Sequence, residues 1–217
     1  MVARVIPKNY RNVTGRLASS KNRCLIGFES TLEKDFYLLL EFAPQVETFE
    51  EQPVTITYDD STGKRHRYTP DVLIRYRRDG SGRRPDVLCE IKYHHDLREN
   101  WLEYKPRFTA ASRYAQQRGW HFRLVTEQDV RTPQLNHARF LLRYRHQSVD
   151  AQDVRHVLRT LSGLGITQPK TLMQTCSCER DRQARLIPVL WHLVAHGRVG
   201  IDLRKPLSMC SAIWPMA

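Results

Sequence analysis

The chain has 217 residues, room for one mid-sized α/β domain and a small companion, each with enough interior for a real core. Lys and Arg number 35 against 23 Asp and Glu, and the formal charge of +12 selects polyanionic partners, nucleic acid first, over acidic or neutral ones. No apolar run approaches the roughly 20 residues of a spanning helix, which excludes membrane insertion, and the five cysteines (Cys24, Cys89, Cys176, Cys178, Cys210) lack CxxC spacing, which excludes a disulfide framework or zinc site and fits a reducing cytoplasm.

Residues 1–23 hold Arg4, Lys8, Arg11, Arg16, Lys21 and Arg23 with no acid before Glu29, and they read as a basic arm for phosphates. Pro7, Asn9, Asn12 and Gly15 interrupt any amphipathic helix there. From Thr31 to Phe42, Leu32, Phe36, Leu39 and Leu40 recur at helical spacing behind a Ser30 or Thr31 cap, predicting a first helix. Extended segments follow at Val46–Glu51, Val54–Tyr58 and Arg67–Tyr76, and after a polar loop at 77–85 another runs from Val87 to Lys92, implying two strands joined as a hairpin. Leu97 to Arg118 is predicted helical, with a kink at Pro106, and Gly119 ends it. Trp120 to Val125 alternates like a strand, so strand, helix, strand forms a parallel crossover. Phe140 to Tyr144 closes this mixed sheet, and Gln147 to Asp153 is a linker. Beyond it, helices over Val154–Leu161, Lys170–Cys176 and Arg180–His196 precede strands at Val199–Leu203 and Leu207–Ile213, the pattern of a winged helix. The expected division is an arm at 1–23, a main domain at 24–150 and a small domain at 151–217.

The chemistry concentrates at strand ends. Pro70-Asp71 lies in one apolar run and Glu90-Ile91-Lys92 ends another, so period-two geometry puts Glu90 and Lys92 on one face with Asp71 opposite them. Hydrolysis of a phosphodiester needs a hard cation held by carboxylate oxygens, and a positive charge for the water and the pentacovalent state. Two carboxylates and a lysine supply that set, and the Ile91 carbonyl adds a ligand. The alternative is a same-face salt bridge on a solvated strand, worth little. The apolar runs Val72-Leu73-Ile74 and Val87-Leu88-Cys89 argue against it, because they carry these charges into a buried sheet where an unused charge is expensive. An acid in the first turn of the first helix completes the shell; it is Glu33 in preference to Glu29, although spacing leaves both open, and either also favours a helix N-terminus. Gln52-Pro53 offers an amide near the same place.

Together Phe28-Glu29-Ser30-Thr31-Leu32-Glu33-Lys34-Asp35-Phe36, Glu51-Gln52-Pro53, Tyr68-Thr69-Pro70-Asp71 and Glu90-Ile91-Lys92 resemble, in order and spacing over roughly residues 20–130, the TnsA endonucleases of heteromeric cut-and-paste transposons. The resemblance implies an α/β fold with a restriction-endonuclease-like PD-(D/E)xK core, a mixed sheet flanked by helices, and a small C-terminal winged-helix-like domain. It implies Glu33, Asp71, Glu90 and Lys92 as catalytic residues, and Glu33, Asp71, Glu90 and Ile91 around Mg²⁺, with Mn²⁺ as a substitute. It also implies cleavage of the 5′ strands at double-stranded transposon ends, a TnsB-like transposase and a TnsC-like AAA+ ATPase as partners, and a bacterial, nucleoid-associated cytoplasmic location. Some family members carry Gln where this chain keeps Glu90. The competing readings are a stand-alone restriction or junction-resolving nuclease of the same fold, and a non-catalytic winged-helix DNA-binding regulator.

Overall fold

The computed structural model describes residues 13–60, 62–80 and 82–216, so Arg4, Lys8 and Arg11 of the expected arm lie outside the described residues. The rest of that stretch is not an arm. Strands β1 (Gly15–Ser19) and β2 (Cys24–Phe28) form an antiparallel hairpin, from Gly15 opposite Phe28 to Ser19 opposite Cys24. Its turn is tied down by side chains: Lys21 Nζ donates to the carbonyls of Ala43 and Val46, and Asn22 brackets the backbone of Phe49 from both sides, at 2.5 and 3.1 Å. Lys21 is therefore a structural cation here.

Helix α1 (Thr31–Phe42) starts where predicted, because the Ser30 hydroxyl accepts the Glu33 amide at 3.1 Å and satisfies one of the free donors of the first turn. Strand β3 (Val46–Glu51) follows, then a hairpin of β4 (Ile56–Asp59) and β5 (Arg65–Tyr68). The single extended run expected from Arg67 to Tyr76 is broken at Thr69-Pro70-Asp71, because Pro70 has no N–H for a ladder. Beyond the break come β6 (Val72–Tyr76), the short ribbon β7 (Arg78–Asp79) and β8 (Gly82–Arg83), and β9 (Val87–Ile91). The predicted hairpin is thus present, with Val72 opposite Cys89 and Leu73 opposite Leu88.

The long helix expected over 97–118 is two helices, α2 (His94–Glu99) and α3 (Trp101–Gln116). The interruption falls at Asn100, not at Pro106, which sits inside α3. Asn100 Nδ2 bonds Asp96 Oδ1 at 2.8 Å and closes α2, while its carbonyl accepts the Tyr104 amide at 3.0 Å and opens α3. Strand β10 (His121–Val125) then lies parallel to β9, and α4 (Glu127–Val130) follows behind a Thr126–Asp129 capping box. The sheet order is β10-β9-β6-β3, parallel at the first pairing and antiparallel at the others.

This mixed sheet is buried on both faces. Val72, Ile74, Cys89 and Ile91 pack with Leu32, Tyr37 and Leu40 of α1, and Leu73 and Leu88 pack with Leu97 of α2 and Phe108, Ala111 and Ala115 of α3. Strands covered on both sides read as continuous apolar runs, which is the pattern of β6 and β9. By the same alternation Asp71 shares the α3 face with Leu73, and Glu90 and Lys92 share it with Leu88.

The chain divides after Arg131 into two compact units, earlier than the expected boundary after 150. The segment from Phe140 to Tyr144 does not close the sheet. It belongs to helix α5 (Pro133–Arg145), opened by Pro133 in its first turn and packed on a later helix of its own unit. Helices α6 (Ala151–Leu164), α7 (Pro169–Cys176) and α8 (Arg180–Ala195) follow, then antiparallel strands β11 (Val199–Ile201) and β12 (Ile213–Pro215). The ribbon is shorter than predicted, and its second strand begins where Leu207–Ile213 was expected to end. Residues 202–212 instead make turns held by Asp202 and by the Ser208–Ser211 bonds.

Candidate active site

Asp71 stands at the break between two hairpins, and its main chain is fixed from both sides. Its amide donates to Cys89 O at 3.1 Å, and its carbonyl accepts the Gln52 amide at 2.8 Å and the Tyr37 hydroxyl at 3.4 Å. The carboxylate then has one place to go. Oδ2 accepts the Ile91 amide at 2.7 Å, across the ladder, and Oδ1 has no donor among the described residues.

Glu90, with its side chain 3% exposed, is the most enclosed acid of the set. A buried carboxylate needs partners at both oxygens. Oε2 accepts the Tyr68 hydroxyl at 2.6 Å, and Oε1 takes the Lys92 ammonium at 2.9 Å. Lys92 Nζ also lies 3.7 Å from Asp71 Oδ2 and donates to the Ile91 carbonyl at 3.2 Å. The structure thus brings Asp71, Glu90, Ile91 and Lys92 into one contact network, with the ammonium wedged between the two carboxylates.

Glu33 is near this network without touching it. Its carboxylate turns back on the start of α1, with Oε2 accepting the Glu29 amide and Oε1 the Ser30 hydroxyl, each at 2.9 Å. Its pKa is nonetheless raised, first by burial and also by the Glu29 charge, while its two hydrogen bonds and Lys92 pull the other way. Glu29 is turned to a different partner, accepting Gln52 Nε2 at 3.1 Å. Gln52 is held in a left-handed backbone conformation (φ 44°), a region that non-glycine residues rarely occupy, and its Oε1 is buried without a donor.

The electrostatics follow from this crowding. Burial, then the adjacent Glu90 charge, pushes the Asp71 carboxyl well above its ordinary range, against the pull of Lys92 and the Ile91 amide. Burial lowers the pKa of Lys92, but Asp71 and Glu90 outweigh it and hold the ammonium protonated beyond its usual range. Burial and the Glu90 charge also keep the Tyr68 hydroxyl protonated.

Three carboxylates and a main-chain carbonyl are hard oxygen donors, the set that Mg²⁺ or Mn²⁺ prefers. Asp71 and Glu33 carry raised pKa values because anionic charge is crowded in a buried place, and a divalent cation would relieve that crowding. The residues fit such an ion in kind. In arrangement the ammonium of Lys92 draws Asp71 and Glu90 together, and among the described residues no group of three or more His, Cys, Asp or Glu side chains is drawn up around a single point.

Two residues of the site escaped the sequence reading. Tyr68, two positions before Pro70, ends β5 and reaches Glu90. Arg107 on α3 lays its guanidinium 3.8 Å from the Tyr104 ring centroid and 5.7 Å from that of Tyr68. The signal for Arg107 was the helical spacing of Tyr104, Arg107 and Phe108, which reads equally well as core packing.

A mixed sheet flanked by helices, with an aspartate and a Glu-x-Lys run at adjoining ends of its central strands, fits a restriction-endonuclease-like fold. Residues 43–127 match the family model described as TnsA-like endonuclease N terminal, which supports a TnsA-like endonuclease. Asp71, Glu90, Ile91 and Lys92 fall inside the matched segment; α1 with Glu33 precedes it. No curated protein matches the chain. Among the described residues no helix is long and apolar enough to cross a membrane.

Proposed function

We propose that this chain is the metal-dependent endonuclease that cuts the 5′ strands at transposon ends during cut-and-paste transposition, working in the bacterial cytoplasm with a TnsB-like transposase and a TnsC-like AAA+ ATPase. The observation that carries the reading is the juxtaposition of Asp71 and Glu90 at adjoining strand ends with Lys92 between them. Asp71, Glu90, the Ile91 carbonyl and Glu33 would hold Mg²⁺ or Mn²⁺, which supplies Lewis acidity at the phosphoryl oxygen and an acidified water.

The chain's own residues divide the remaining work. Lys92 stays an ammonium at neutral pH, so it stabilises charge developing on the phosphoryl group and does not act as the base. Tyr68 orients Glu90, and the Ile91 amide orients Asp71, so neither carboxylate has to be organised when substrate arrives. Exposed Arg98, Lys105 and Arg113 on α2 and α3 supply phosphate attraction that is salt-sensitive and blind to sequence. Site choice therefore falls to the partners, and the second unit, whose helices α6 to α8 and following ribbon are ordered in the manner of a winged helix, is the docking element for DNA or the ATPase.

The test compares strand-specific nicking at transposon ends, with and without the two partners, at fixed salt and Mg²⁺. Cutting that needs the partners and the metal, and that vanishes in Asp71→Ala and Glu90→Ala while DNA binding persists, supports the reading. Efficient site-specific double-strand cutting by the chain alone would favour a stand-alone nuclease instead. Full cleavage by both variants would remove the site.

A further inference from the structure

Several arginines of the first unit are matched to acids: Arg65 to Asp59, Arg75 to Glu50, Arg123 to Asp129, Arg131 to Asp35. Arg107 is different. Its Nε is buried without an acceptor, and its guanidinium has no carboxylate and no hydrogen-bond acceptor among the described residues. What holds it is aromatic: the Tyr104 ring at 3.8 Å, with Phe108 at 5.5 Å and Tyr68 at 5.7 Å. A cation spread over ring faces keeps its charge and its orientation while its N–H donors stay unused.

The location gives that unused charge a purpose. Tyr68, one of the three rings, donates its hydroxyl to Glu90 at 2.6 Å. No carboxylate among the described residues neutralises this guanidinium, and an anionic ligand would do so. A guanidinium presents five donors in a planar fork that matches phosphate oxygens, which a lone buried donor without an acceptor calls for.

We propose that Arg107 is a catalytic residue of this site, whose guanidinium grips a non-bridging oxygen of the DNA phosphodiester lying beside Glu90 and Lys92. The proposal rests on the nuclease reading and adds to it the residue that engages the substrate phosphate. Tyr104 and Phe108 pre-position the guanidinium on one turn of α3, and Lys92 is left to serve the charge that develops during the reaction.

The experiment uses the full chain with duplex DNA carrying a transposon end, and compares Arg107→Ala, Arg107→Lys and, as a control, Arg118→Ala. Arg118 also stacks on a tyrosine, 3.5 Å from the Tyr114 ring centroid, but it lies about 16 Å further along the helix direction and already donates to Tyr114 O. Affinity is measured over a salt series, and partner-dependent nicking in parallel. Arg107→Ala is expected to lower the slope of log K against log salt by about 0.9, one phosphate contact, and to slow nicking about a hundredfold. Arg107→Lys keeps the slope but recovers only part of the rate, because a point charge replaces a fork. Arg118→Ala leaves the nicking rate unchanged. An Arg107→Ala protein with an unchanged salt slope, whose loss of rate is matched by a loss of thermal stability, would overturn the proposal and leave Arg107 as packing. Should wild-type protein fail to cut under any metal, the nuclease reading falls, whereas the salt slope still decides for or against the phosphate contact of Arg107.

Discussion

The hydroxyl of Tyr68, at the end of the β4–β5 hairpin, donates to Glu90 Oε2 across 2.6 Å, so a residue outside the main sheet sets the orientation of the acid at its centre. Glu90 has two oxygens and both are engaged, one by this hydroxyl and one by Lys92. Tyr68→Phe removes the donor and keeps the ring that packs on Phe108, 6.3 Å away. The lost bond weakens the fold by about 1 kcal/mol. Divalent-ion affinity is expected to fall about tenfold, the usual consequence of freeing a carboxylate that a neighbour orients. Titration calorimetry with Mn²⁺ measures this directly, and unchanged affinity would mean that Tyr68 serves only the core.

Stability should respond to pH through Asp71. Its carboxyl titrates well above the ordinary range because it is buried beside Glu90. A carboxyl with a raised native pKa binds a proton in the folded state that the unfolded chain has already lost. Between the ordinary and the raised value, stability therefore falls as pH rises. Divalent-ion binding moves the opposite way, tightening over the same window as the competing proton leaves. Asp71→Asn keeps an oxygen for the Ile91 amide and removes the charge. Without metal, its melting temperature should exceed that of the wild type by a few degrees at neutral pH, with the gap closing on acidification. Parallel melting curves for the two proteins across that window would show that Asp71 carries no such strain.

The legible part of the site was the part governed by local geometry. Asp71, Glu90 and Lys92 could be placed together because alternation along two apolar strands leaves them one face to share, and the hairpin register of Val72 with Cys89 does the rest. Glu33 was legible as a residue of the first turn, but not its direction, since the same acid serves Ser30 and the Glu29 amide. Tyr68 and Arg107 depend on which hairpin and which helix fold over the sheet, a long-range outcome without a local signature. The segment Phe140-Leu141-Leu142 looks like a strand in isolation. Thr132-Pro133 upstream starts a helix instead, and Leu135, Ala138 and Leu141 then fall on one buried stripe.

Lys92→Ala separates holding an ion from using it. The ammonium compensates two carboxylates at 2.9 and 3.7 Å, and its own side chain is 27% exposed, so solvent takes up part of its loss. The metal-free variant is expected to lose about 2 kcal/mol, less than a fully buried pair would. A divalent cation then fills the same electrostatic role, so Mn²⁺ should restore much of the melting temperature and bind no more weakly than to wild type. Nicking stays slow even with metal, since the charge that served the transition state is gone. Loss of Mn²⁺ affinity equal to that of Asp71→Ala would reduce Lys92 to a structural residue.

The last prediction concerns the second unit, where the place of α5 decides what can be cut away. Phe140 meets Trp191 of α8 edge to face at 5.1 Å, the Arg145 guanidinium donates to Ala195 O at 3.2 and 3.3 Å, and the His192 ring bonds Tyr144 O at 3.0 Å. Leu135, Ala138 and Leu141 are buried on the same side of α5. A fragment that begins at 151, where composition places the boundary, would strip this cover from Trp191 and from the side of α8 that packs on α5. A fragment of residues 132–217 keeps it. The longer piece is expected to melt cooperatively and stay monomeric, while the shorter one loses several kcal/mol from the bared aromatic and aliphatic side chains and associates or unfolds. Circular dichroism with sedimentation on the two fragments checks this. Equal melting temperatures would show that α5 adds nothing to the unit and that the boundary after 150 was the better one.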